Sequence, residues 1–114
     1  MNDSILNTIK QMLGITPEQI DFDTDIIIHI NAVIQILHQI GIFNSPDEVY
    51  YITGASETWS DYLNDISKLQ SVKSFMYLKV KLMFDPPLNS TVISSFERTI
   101  SELEFRLMES HNDK

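Results

Sequence analysis

Apolar residues recur along this chain at three- and four-residue steps, the spacing of helices that bury one face. In Ser4–Leu13, Ile5, Ile9, Met12 and Leu13 mark such a face, and Gly14 ends the segment. Thr16-Pro17-Glu18 has proline where a brief helical turn begins. From Ile26 the pattern lengthens. Ile26, Ile30, Val33, Ile36, Leu37 and Ile40 cover a wide arc, and Gly41 supplies a C-terminal stop. The isoleucine content also suits a strand, but the length and the small Ala32 favour a helix. The acidic run Asp23-Thr24-Asp25 in front of it is expected to cap the helix and oppose its N-terminal dipole.

Helical periodicity lapses from Ile42 to Gly54. Asn44-Ser45-Pro46-Asp47 is turn chemistry, and Val49-Tyr50-Tyr51-Ile52-Thr53 is β-branched and aromatic. This predicts a β-hairpin or extended arm, which must pack on the helices or on another subunit because a lone hairpin is marginal in water. Trp59, Tyr62 and Leu63 then predict a short helix anchored by Trp59. Lys68–Phe84 is the next long helix, with Leu69, Val72, Phe75, Met76, Val80 and Met83 in one stripe. Asp85-Pro86-Pro87 breaks it, because proline lacks an amide donor and forces the residue before it out of helical geometry. Asn89 or Ser90 can cap a last helix whose stripe is Val92, Phe96, Ile100, Leu103 and Leu107, with Arg98 and Glu102 on its solvent side.

The elements add up to a mainly α fold, a small bundle of about four to five helices, with the hairpin or arm between a central helix and a C-terminal helical hairpin. One domain is expected over residues 1–114: a short helix and turn to residue 22, the central helix over 23–41, the arm over 42–55, helices over 56–109 and a frayed tail over 110–114. The short connection around Pro86 and Pro87 favours two antiparallel helices with facing stripes.

Charge narrows the function classes. Eight Lys and Arg against sixteen Asp and Glu give a formal charge of −8. Broad nucleic-acid binding depends on cations that neutralise phosphates, and this average surface should repel DNA. The chain has no cysteine, so thiolate chemistry and disulfides are absent. The N-terminal stretch lacks the basic segment and apolar core of a signal peptide, and the longest apolar run, Ile26–Ile40, is interrupted by His29, Asn31, Gln35, His38 and Gln39. The expectation is a soluble protein that is not secreted.

Candidate chemistry is sparse. "DFDTD", Asp21 to Asp25, has the alternating acids of a calcium loop, but the sixth and twelfth positions hold Ile26 and Ala32 instead of Gly and Glu. His29 and His38 lie about two and a half helical turns apart and so point to opposite faces. No Gly-rich phosphate loop and no nucleophile motif occurs. Glu97, Glu102 and Glu104 read as a solvated helix face. No catalytic, cofactor or metal residue is assigned, and the expectation is a protein that is not an enzyme.

Some residues disturb the amphipathic patterns. Lys79 falls among Val72, Phe75 and Met83 and must either snorkel or meet a carboxylate, for which Glu104 is the candidate. Phe105 lies nearly opposite the Phe96 stripe. With Tyr50, Tyr51, Ile52 and Trp59 it forms a candidate subunit or partner interface.

The stretch "YLKVKLMFDPPLNSTVISSFERTISELEFRL" resembles the small head–tail connector proteins of long-tailed bacteriophages and prophages, also called head-completion, adaptor or DNA-packaging proteins. The likeness is carried by the Lys-bearing apolar helix, the "FDPP" break and the helix ending in "ELEFRL", and is strongest from Phe75 to Leu107. "SILNTIKQMLGI", "FDTDIIIHIN" and "WSDYL" follow in a compatible order, so the resemblance spans most of the chain. It implies a helical subunit that forms a ring with copies of itself under the portal protein. That ring extends the DNA channel and docks the next connector or the tail. It implies no cofactor, no membrane partner and no sequence-specific nucleic-acid binding. Its place would be the head–tail junction of the virion, after assembly in the bacterial host cytoplasm. The alternative from the residues alone is a cellular helical adaptor that binds one protein partner.

Overall fold

A computed structural model describes residues 4–42, 51–63 and 66–112. Among them are five α-helices: α1 (Ile5–Met12), α2 (Asp23–Ile40), α3 (Trp59–Tyr62), α4 (Leu69–Phe84) and α5 (Ser90–Asn112), with a 3-10 turn at Ile66–Lys68 leading into α4. The expected mainly helical fold is what forms. α2 and α4 share the centre, and each touches α1 and α5 as well as the other. Ile26, Ile30, Val33, Ile34 and Leu37 of α2 are buried together with Val72, Phe75, Met76 and Val80 of α4. Ile100 and Leu107 close the core from α5. The expected stripes therefore hold over most of their length, but Met12, Met83 and Val92 are exposed.

Both helix stops expected at glycine are present, and both use the same device. Gly14 (φ 84°) and Gly41 (φ 93°) take the left-handed conformation that glycine adopts without a Cβ penalty. The amide one residue further on then reaches back to the helix, from Ile15 to the Lys10 carbonyl at 2.8 Å and from Ile42 to the Leu37 carbonyl at 3.1 Å. The choice between Asn89 and Ser90 is resolved too: the Asn89 side chain accepts from the amides of Thr91 (2.7 Å) and Val92 (3.3 Å) at the start of α5.

The predicted β-hairpin or arm is corrected. No sheet forms among the described residues, where an isolated antiparallel bridge joins Ser4 to Thr58. Residues 43–50 of that prediction lie outside the described residues. In the remainder, Tyr51-Ile52-Thr53 has strand-like composition, but among the described residues no strand edge lies beside it. It lies against α2, where Asn31 acts as a substitute ladder partner. The Asn31 Oδ1 accepts from the Ile52 amide at 2.7 Å, and its Nδ2 donates to the Ile52 carbonyl at 3.0 Å. Below this strap, Glu57 gathers the Thr53 hydroxyl (2.8 Å), the Thr53 amide (3.0 Å) and the Gly54 amide (3.3 Å). Burial pushes the Glu57 carboxyl up, but these donors and its own amide outweigh that and hold it below the ordinary glutamate range.

Replacing Asn31 with alanine should leave both polar groups of the buried Ile52 backbone unpaired, at a cost of about 1–3 kcal/mol. Urea unfolding should show a lower midpoint at an unchanged slope. An unchanged midpoint would mean that the strap contributes nothing to stability.

The acidic run before α2 does not cap it through a side chain. Phe22 occupies the N-cap position, while Asp23 and Asp25 sit in the first turn, where negative charge suits the helix dipole. Asp23 is committed elsewhere. Lys10 of α1 is almost completely buried, and its Nζ lies 2.7 Å from Asp23 Oδ1. The same ammonium donates to the carbonyls of Gln19 (2.8 Å) and Pro17 (3.2 Å). The buried carboxylate oxygen takes no aligned hydrogen bond, so charge carries its contact with Lys10. Lys10 thereby gathers the α1–α2 loop around one cation.

Candidate docking surfaces

Of the predicted interface residues, Tyr51 and Phe105 stand on the surface with about 60 % exposure (59 % and 62 %). Ile52 and Trp59 do not, which corrects their assignment: they are 1 % and 3 % exposed and belong to the protomer's own core. Trp59 is held by its own chain. Its indole Nε1 donates to the Thr8 hydroxyl at 3.1 Å, and Lys73 Nζ lies 5.8 Å from the ring centroid. A tryptophan at the start of a one-turn helix has no periodicity long enough to show which side is inward. Tyr50 lies outside the described residues.

Lys79 is half-buried, with its Nζ 5.8 Å from the ring centroid of Phe75, one turn earlier on α4. Among the described residues no ion pair joins it to Glu104. On α5, Glu102 pairs with Arg106 at 3.3 Å. The outer face of this helix also carries Phe105 and Met108, both exposed.

The break at Asp85-Pro86-Pro87 positions an open cleft. α4 ends at Phe84, and Asp85 leaves the helix with φ −149° and ψ 69°. Its carboxylate turns back to Lys81 Nζ at 2.8 Å. The abrupt end leaves Phe84 half-buried at the mouth of the bundle. Phe22 meets it edge-on, with ring centroids 5.5 Å apart, and His29 approaches at 6.5 Å. Leu13 and Ile15, from the end of α1, complete an apolar floor with Met83. Asp25, His29 and Asp85 provide the polar lining. The groove has a volume of about 650 Å³, within the ~300–1,000 Å³ of clefts that take compact ligands.

Sequence reasoning identified Asp85, Pro86 and Pro87 as the break but missed the groove beside them. Phe22 and His29, at the start of α2, meet Phe84 from the end of α4, about sixty residues further along the chain. The available signal was aromatic residues at both ends of long helices, outside the buried stripes.

Among the described residues, no group of three or more His, Asp and Glu side chains is placed to hold a metal ion. No described helix is long and apolar enough to cross a membrane.

The family model described as phage connector protein matches residues 5–114. The chain belongs to the phage connector proteins. No curated protein and no solved structure gives a significant match. The family match covers every helix described above, including both sides of the corner groove. A phage connector has a structural role in the virus particle, and its chemistry is contact with other head and tail proteins.

Proposed function

We propose that this phage connector is a head–tail connector subunit that assembles as a ring under the portal, extends the DNA channel and supports docking of the tail or the next connector. The observation that carries the reading is the family match over residues 5–114. Three features support it. The fold is a helical unit with a fixed corner between α4 and α5, a shape suited to repeated packing. Its formal charge of −8 lets DNA slide past without sticking, because phosphate binding needs cations. Exposed bulky residues, Tyr51, Phe105 and Met108 among them, remain for contacts between copies and with neighbours. The site of action is the head–tail junction of the virion, reached after assembly in the bacterial cytoplasm.

The purified chain mixed with its cognate portal complex should give stoichiometric rings on the portal in electron microscopy. A strictly one-to-one complex with a cellular protein, with no portal binding, overturns the reading.

A further inference from the structure

We propose that the corner groove is the docking site for a segment of another particle protein in which a bulky apolar side chain is flanked by Lys or Arg. The inference deepens the connector reading. It rests on that reading for the partner's being a particle component, while the chemistry of the occupant comes from the groove itself.

The floor calls for an apolar side chain. Phe22 and Met83 are 41 % and 44 % exposed although they lie beside the core, and Phe84 is only half-buried between them. A side chain seated there would remove all three from water, which is the driving force for a pocket of this kind. Such aromatic-lined sites take one bulky anchor more readily than a flat surface does.

The rim calls for positive charge. Between Gln11 and Ser67 the chain has no Lys or Arg at all, and this stretch supplies Leu13, Ile15, Phe22, Asp25 and His29 to the groove. Asp25 is exposed and has no ion-pair partner among the described residues. Glu18 and Asp21, in the loop that leads to it, are exposed as well. The nearby cations are already used: Lys10 is buried against Asp23, and Lys81 is tied to Asp85. The mouth of the groove therefore carries negative potential, which steers and selects a cationic partner.

The same charges argue against the other occupants. Nucleic acid is repelled. For a second copy the objection is local and not its net charge of −8, since copies of that charge already meet in the proposed ring. The bulky residues exposed on α5, Phe105 and Met108, sit among Glu102, Glu104 and Glu109, with Arg106 already held by Glu102.

The test is a randomised twelve-residue peptide library selected on the immobilised full chain, with recovered peptides titrated against wild type, Asp25→Lys and Met83→Ser. Both substitutions change exposed residues, and circular dichroism checks that each variant keeps its helix content. The expected consensus is a Leu, Phe or Met next to Lys or Arg. Binding should fall at least tenfold in each variant and weaken as salt is raised. Selection of neutral or acidic peptides overturns the proposal. So does the absence of any enriched peptide, or binding that survives both substitutions. A wild-type chain that self-associates in solution and turns monomeric as Met83→Ser seats a second copy in the groove and also overturns it. The portal experiment above reads the connector role separately. Rings that form although no peptide binds leave that role standing and remove this assignment alone.

Discussion

Trp59→Ala should destabilise the folded chain by about 3–5 kcal/mol, the range for truncating a large aromatic in a packed core. Domains of this size have only ~5–15 kcal/mol in total, so the urea midpoint should fall by about a fifth or more. The size of the effect follows from where the residue lies. Trp59 is 3 % exposed, its indole nitrogen bonds Thr8 of α1, and Lys73 of α4 covers its ring. Deleting it empties the joint between three parts of the chain and takes one donor from the Thr8 hydroxyl, which keeps its own bond to the Ser4 carbonyl. Phe105→Ala is the matched control: at 62 % exposure it should change stability by no more than about 0.5 kcal/mol. If the two substitutions cost the same, Trp59 is not the core anchor described here. If Phe105→Ala instead weakens ring formation at unchanged stability, the two aromatics divide as the burial says, one for the fold and one for contacts.

Asp23→Ala should cost about 3 kcal/mol, more than Lys10→Met, although both remove the same ion pair. The asymmetry comes from unequal burial. The Lys10 side chain is 1 % exposed and that of Asp23 is 26 % exposed. Without Asp23, an ammonium is left inside the protein with only the carbonyls of Pro17 and Gln19 for company. Without Lys10, Asp23 can recover water at its open edge, and methionine fills the space of the lysine stem. The figure sits at the low end of the usual 3–5 kcal/mol because Asp23 is partly solvated already. Denaturant unfolding of the two single variants and of the double variant checks this. The double variant should be more stable than Asp23→Ala alone, since it no longer buries an uncompensated charge. Equal losses from the two single variants would sink the account.

Much of the helical layout was legible because it depends on local rules. Gly14, Gly41 and Asp85-Pro86-Pro87 end helices wherever they stand, through positive φ or a missing amide, and the helices stop there. The stripes through Val72, Phe75, Met76 and Val80, and through Ile100 and Leu107, were readable because a buried face repeats at the helical period. The likeness to phage connectors was also in the residues, carried by the break and the helices beside it, and the family match bears it out.

The failures share one cause. Tyr51-Ile52-Thr53 has the composition of a strand, but a strand needs an edge to pair with, and among the described residues it meets the side chain of Asn31 instead. Lys10 lies on the polar side of a ten-residue pattern, and only the path of the following loop surrounds it with carbonyls and Asp23. Asp23 looked like a cap for the same reason, since its distant partner is invisible at short range. Ile52 and Trp59 were read as surface because segments this short have no phase to show which way they face. The corner groove needs the ends of α1, α2 and α4 to meet. The chain by itself therefore determined where helices start and stop, which faces are apolar, the acidic balance and the family. Tertiary structure alone decided which polar groups are buried, which aromatics are left exposed, and where an acidic cleft opens. Those outcomes depend on contacts between residues far apart in sequence, and no local pattern encodes them.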